Sequence, residues 1–214
     1  MASFAGYAEG GTGSAVPGVS LPTPPTAGAM SLEEALAHRR SVREFSSGEL
    51  TLDEISRLVW AAQGVTPPHG RTAPSAGATY PLEVYLVVGD VKDLSAGVYH
   101  YLPGSHRLET VSAGDIRRPL ADAAVDQTWI SRAATVAVIA AVYERTAARY
   151  GRRAERYVHM EAGHAAENLL LQATALRLGA TPVGAFNDEQ VARLLRLPAG
   201  ETPLYLIPVG KISR

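Results

Sequence analysis

An α+β fold is predicted for this chain, and three observations predict it. Helix-like and strand-like runs are intermixed without the regular βαβ alternation of a doubly wound sheet. Two runs, "LEVYLVVG" and "ATVAVIAAVY", are apolar and β-branched enough for strands buried on both faces. One segment, residues 155–178, carries a helical apolar stripe so wide that its helix must be covered by the domain or by a second subunit. With 214 residues, 46% of them apolar, there is material for one substantial core, and one compact domain is expected.

Residues 1–30 are Gly, Ala, Ser, Thr and Pro with almost no charge and no sustained period, too little apolar surface to offset the entropy of ordering. They read as a flexible tail, with Phe4 and Tyr7 available as anchors, ahead of a domain over 31–214. Order is expected to begin at "SLEEALAHRR". Ser31 and Glu34 form a capping box there, Leu32, Ala35, Leu36 and Arg39 share a face, and the helix ends near Ser41. "TLDEISRLVWAAQG" repeats the device with Thr51 and Glu54, buries Ile55, Leu58, Val59 and Ala62, and stops at Gly64. The 17 residues that follow, "VTPPHGRTAPSAGATYP", make a loop longer than ordinary connections, and such loops are disproportionately functional. Next come the strand "LEVYLVVG", a hairpin "GVYHYLPGSHRLETV" turning at Pro103, Gly104 and Ser105, a helix over 115–125, and the central strand "ATVAVIAAVY". "RTAARYGRR" reads as an Arg-rich loop before the long helix, and a short helix over 188–195 and the strand "PLYLIPVG" complete the chain.

Composition excludes several functions. Twenty basic against 21 acidic side chains leave a formal charge of −1, which offers no global field for nucleic acid or an anionic membrane. The longest apolar runs fall short of the roughly 18 residues of a membrane span, and no basic segment followed by an apolar one opens the chain, so a cytoplasmic protein is expected. There is no cysteine, hence no disulfide, thiolate metal site or cysteine nucleophile, and redox chemistry would need a bound cofactor. His159 and His164 are five apart, about 140° around a helix, and cannot converge on one metal. Glu161 and His164 form a single Glu-x-x-His pair where di-iron bundles use two, so His164 reads as an interior hydrogen-bonded histidine and no metal is expected. No Gly-x-Ser-x-Gly elbow, phosphate-binding Walker loop, Gly-x-Gly-x-x-Gly or His-Glu-x-x-His occurs.

"HRRSVREF", residues 38–45, crowds Arg39, Arg40 and Arg43 around Ser41. Basic side chains in the last turn of a helix complement its dipole, which is one reading. Ser41 and Arg43 lie beyond the helix end, where that effect has faded; three guanidiniums and a hydroxyl suit a phosphate monoester, which accepts bidentate forks.

With "PSAGATYPLEVYLVV" and "TPVGAF" in the same order, the chain resembles the nitroreductase superfamily of FMN enzymes from about Ser31 to Lys211. "GVYHYLPGSHRLE", the run from "VYERTAARY" through "ALRLGA", and "PLYLIPVGK" are similar to its SagB-type branch, which includes the azoline dehydrogenases of peptide natural products. The resemblance implies a three-layer fold, a central, mostly antiparallel sheet flanked by helices, in an entwined homodimer with FMN at the subunit interface. It implies that Arg39, Ser41 and Arg43, with Arg40 adjacent and Lys211 or Arg214 after the last strand, hold the FMN phosphate. Pro74, Ser75, Ala76 and Gly77 would lie along the flavin, and Pro182, Val183, Gly184 and Ala185 would bring backbone amides to its reactive edge. Position 78 is alanine where many nitroreductases place an asparagine. The Lys-Tyr pair of the azoline dehydrogenases is matched by Arg149 and Tyr150; arginine cannot give up its proton, and Tyr150 reads either as the acid or base or as a surface tyrosine of the Arg-rich segment. The implied activity is hydride transfer from a heterocyclic or peptide-derived substrate to flavin, with reoxidation by oxygen and with biosynthetic enzymes as partners. An NAD(P)H-dependent nitro or quinone reductase and a catalytically degenerate scaffold subunit are the alternatives.

Overall fold

The computed structural model describes residues 18–68, 70–125 and 127–212. The first strand, β1 (Gly18–Ser20), pairs antiparallel with Arg107–Glu109. It falls within the stretch expected to be a tail, so the domain extends upstream of residue 31. The physical reason is tertiary: Leu21 is buried, and the Pro22 carbonyl accepts from the Ser56 hydroxyl at 2.5 Å. Phe4 and Tyr7 lie outside the described residues.

Helices α1 (Leu32–His38) and α2 (Leu52–Gln63) both open with complete capping boxes, Ser31 with Glu34 and Thr51 with Glu54. Each cap is worth about 1 kcal/mol. Helix α1 ends at His38 rather than near Ser41, because Arg39 already has extended backbone. Gly64 ends α2 with φ −63°, so no left-handed turn requires it; a Cβ there would lie 2.1 Å from the Trp60 ring.

The long loop holds a two-residue ribbon, β2 (Val65–Thr66) with β3 (Gly70–Arg71), and a single 3-10 turn at Ala76–Ala78. The main sheet continues through β4 (Leu82–Val88) and the hairpin β5 (Gly97–Leu102) with β6 (Arg107–Ala113), which turns where the sequence predicts. Beyond α3 (Arg117–Ala123), β7 (Thr135–Val142) is central, paired antiparallel with β4 on one side and β9 (Glu201–Gly210) on the other. Helix α4 (Tyr143–Tyr150) replaces the expected Arg-rich loop. Helix α5 (Ala154–Ala175), β8 (Gly179–Ala180) and α6 (Asp188–Leu195) complete the elements.

The strand order is β1-β6-β5-β4-β7-β9-β8, and every strand pairing is antiparallel. Helices cover both faces. Ile55, Leu58 and Val59 of α2 and Val158, Ala162 and Leu169 of α5 pack on one face with Val84, Leu86, Ile139 and Ile207. Leu120 of α3 and Val191 and Leu195 of α6 pack on the other with Val87, Val136, Val138 and Leu206. Alternate residues of β7 therefore enter opposite cores, which is why its sequence is continuously apolar. Helix α5 is buried along one side only: Tyr157, Met160, His164 and Glu167 face outward, and Met160 is 49% exposed.

Candidate active site

The arginine-rich segment is seated by glycine. At Gly179 a Cβ would lie 2.7 Å from the Val42 side chain, so β8 admits Val42 because it carries none. Residues 41–42 then run beside β8: Ser41 bridges Ala180, the Val42 amide donates to the Ala180 carbonyl at 3.1 Å, and Thr181 donates its hydroxyl to the Val42 carbonyl. Ser46 pairs with Lys211 further along. "HRRSVREF", "TPVGAF" and the residue after β9 thus meet at one sheet edge.

Within that edge the cations differ. Arg40 donates to the Ala37 and Arg39 carbonyls at 2.8 and 3.0 Å, so it caps the end of α1. Arg39 lies 3.6 Å from Glu167 of α5. Arg43 is exposed and stands 5.8 Å over the Trp129 ring, with no carboxylate partner among the described residues. Lys211 pairs at 2.6 Å with Glu54, whose other oxygen completes the α2 cap. Arg214 lies outside the described residues. Val183 exchanges both backbone hydrogen bonds with Leu206, leaving Gly184 and Ala185 exposed beyond it, and a Cβ on Gly184 would meet nothing within 4 Å.

The other cluster gathers around Gly77. Gly77, Ala78 and Tyr80 all have positive φ (60°, 53° and 45°), a conformation unfavourable for the two that are not glycine. The loop keeps it because α4 staples it. Arg145 donates to the Tyr80 carbonyl at 3.0 Å, the Thr146 and Thr79 hydroxyls meet at 2.9 Å, and Arg149 donates to the Gly77 carbonyl at 3.1 Å. Arg145 is itself held at 2.6 Å by Glu83, which also bonds His100 at 2.8 Å and whose carboxyl stays below the usual range because those partners outweigh its burial. Tyr150 is brought to the same place: a Cβ on Gly77 would lie 2.6 Å from its hydroxyl. The Tyr150 ring meets Tyr157 edge-on at 5.1 Å.

Between this loop and α5 opens a cavity of about 280 Å³ lined by Pro74, Ser75, Ala76, Tyr157, Met160, Glu161 and His164. Here the Glu-x-x-His pair inverts its expectation: His164 is exposed and Glu161 is only 3% exposed. Among the described residues no group of three or more metal-ligating side chains comes together. The signal for Glu161 was its phase, three residues after Val158 and four before Ala165, both fully buried.

The two clusters face different sides of α5. Glu167 pairs with Arg39, and Glu161 lies beside Ser75 and Ala76 without completing a hydrogen bond; the two are six positions apart, or about 9 Å along the axis and roughly 120° around it.

An antiparallel sheet between two helical layers thus carries a cationic edge on one side of α5 and the Gly77 loop on the other. The Nitroreductase family model matches residues 36–211. A nitroreductase homologue of Methanocaldococcus jannaschii is 49% identical over 181 residues, covering 84% of this chain and 90% of its own length. The microcin B17-processing protein McbC of Escherichia coli is 31% identical over 158 residues, 70% of this chain; those residues span 57% of McbC, little more than half of it. The crystal structure of a nitroreductase homologue from Ralstonia eutropha superimposes with a TM-score of 0.81 and 31% identity, covering 95% of this chain and 93% of its own. The chain belongs to the nitroreductase family, and it is an oxidoreductase.

Proposed function

We propose that the chain is an FMN-dependent oxidoreductase of the SagB type, a cytoplasmic homodimer that dehydrogenates a heterocyclic, azoline-like or peptide-derived substrate and passes the electrons to oxygen. One observation carries this reading: the Tyr150 hydroxyl lies against Gly77, in the loop expected along the flavin. Similarity to a peptide-processing relative supports the substrate class and a biosynthetic partner enzyme.

The donor set fits FMN. Exposed Arg43 and Ser41, beside Arg39, offer charge and hydrogen bonds to a phosphate, and the open space at Gly184 lets backbone approach a flat ring. When bound, FMN supplies the two-electron acceptor for hydride. The chain's own part is to hold the phosphate with Arg39, Ser41 and Arg43, present the amides of Gly184 and Ala185, since Pro182 has none and that of Val183 is spent on Leu206, and fix Tyr150 through Arg149 and the α4 staples. Lys211 would have to leave Glu54 to join the phosphate. Two clusters on different sides of α5, with Leu32 and Leu36 exposed at 61% and 55%, favour a second copy that completes the site.

The test is anaerobic stopped flow on the full chain loaded with FMN. A synthetic thiazoline peptide should bleach the flavin and NADPH should not. The reverse result would establish the NAD(P)H-dependent reductase, which similarity to the Methanocaldococcus nitroreductase homologue favours. Protein that takes up no FMN would mark a degenerate scaffold.

A further inference from the structure

We propose that Arg152, Arg153 and Arg156 form a docking surface for acidic side chains of the peptide substrate, close to the ring that is oxidised. The inference rests on the dehydrogenase reading above and names a substrate chemistry that the reading leaves open.

Other arginines of the chain are matched. Arg39, Arg57, Arg117, Arg145 and Arg193 each meet a carboxylate, at distances between 2.6 and 3.7 Å. Arg152, Arg153 and Arg156 are exposed, and their side chains form no ion pair or hydrogen bond among the described residues. Glu144 and Glu155 stand nearby, also exposed, and pair with none of them. In a chain with a formal charge of −1, three such cations in five consecutive residues make a local field. Helix electrostatics does not account for them. Arg153 is the N-cap of α5 and offers no side-chain cap, Arg152 precedes it, and Arg156 lies in the first turn. Cations complement the C-terminal end of a helix dipole; at the N-terminal end they oppose it, and Arg153 and Arg156, three apart, repel each other. Carboxylates from outside would relieve both effects, and arginine forks take carboxylates bidentately.

Position ties this surface to the site. Gly151–Arg153 is a single 3-10 turn between α4 and α5. Tyr150 ends α4 directly before it, with its hydroxyl against Gly77, and Tyr157, the residue after Arg156, packs edge-on against Tyr150. Arg152 also lines an open cleft of about 690 Å³ with Tyr143, Gly151, Ala154 and Glu155. An extended peptide advances about 3.4 Å per residue, so acidic side chains roughly two to four residues from a ring at Tyr150 fall over the turn.

The test uses the full chain loaded with FMN and two rhodamine-labelled thiazoline peptides, one with Asp and Glu flanking the ring and one with Asn and Gln in their place. Fluorescence anisotropy at about 20 mM salt should show the acidic peptide binding at least about tenfold tighter, and about 300 mM salt should erase most of that preference. The triple variant Arg152→Gln, Arg153→Gln, Arg156→Gln, checked for melting temperature and FMN content, should bind the two peptides alike and hold the neutral one as wild type does. Arg118→Gln, exposed on α3, should keep the preference. Equal binding of the two peptides by wild type, or a preference that survives in the triple variant, overturns the proposal; if the neutral peptide still bleaches the flavin anaerobically, the dehydrogenase reading stands without it. If wild type is bleached by NADPH and by neither peptide, that reading falls and the proposal with it, and a KM for NADPH that rises in the triple variant would assign the surface to nucleotide phosphates.

Discussion

Arg117 and Glu161 are both buried, 9% and 3% exposed, and their surroundings could hardly differ more. Arg117 lies flat on Gly89 and spends its donors on Asp115, Asp90 and the Ala133 carbonyl, five contacts between 2.7 and 3.1 Å. Those carboxylates hold its guanidinium more firmly charged, and Arg117 in turn lowers Asp115. Glu161 has only the Ser75 hydroxyl and the Ala76 amide beside it, and completes no hydrogen bond with either. Arg117 is buried with its donors saturated, whereas the Glu161 oxygens are buried without a completed hydrogen bond.

Breaking the saturated side should do the most damage. Arg117→Met strips the Ala133 carbonyl of its donor and frees the half-exposed Asp90 and Asp115, and should cost about 3 kcal/mol, a fall in melting temperature on the order of 10 °C for a chain of this size. A loss within measurement error would mean the cluster is decorative. Removing residues 1–22 should come next. It deletes β1, uncovers the site of Leu21, and takes the Pro22 carbonyl from Ser56 and His106, which also meets Tyr101 at 2.8 Å. A loss of about 2–3 kcal/mol is expected, read by denaturant titration. An unchanged midpoint would return these residues to the tail.

The same contrast explains what could be read from the sequence. Capping boxes, the hairpin and β7 were legible because a few adjacent residues dictate each of them. Strand β1 was not, since three residues of weak propensity become a strand only through β6 and α2. Helix α4 hid for a like reason: "YERTAARY" is short and charged, and its staples, Glu83 and the carbonyls of Gly77 and Tyr80, come from elsewhere in the chain. Resemblance supplied a candidate list in which Arg39 to Arg43 and Pro182 to Ala185 do share an edge. It did not reveal that Arg40 caps α1 or that Lys211 is paired with Glu54. Glu161 was weighed as a metal ligand by spacing, although its phase on α5 already pointed inward.

That division between occupied and unoccupied cations gives the third test. Arg43 has no carboxylate partner, so Arg43→Ala should weaken FMN retention by about 10–100-fold, the worth of a charged hydrogen bond. Arg40→Ala should leave retention within about twofold and shift stability by tenths of a kcal/mol, since Arg40 serves the α1 carbonyls. Ultrafiltration of the loaded protein measures both, and equal losses would erase the distinction.

The last test reads a slope rather than a loss, on the unsaturated side. Glu161 is raised in the folded chain from 4.5 to about 7. Between those values the folded state keeps a proton that the unfolded state releases, so stability should fall as pH rises through the window and level above it. The slope contributed by one such group reaches on the order of 1 kcal/mol per pH unit. Glu161→Gln removes the titration, so the variant should lose that slope and match or exceed wild type at pH 8. Urea midpoints of the flavin-free chain across pH 4–8 decide it. A wild type without the slope would mean that Glu161 finds partners after all, and that the two buried charges are treated alike.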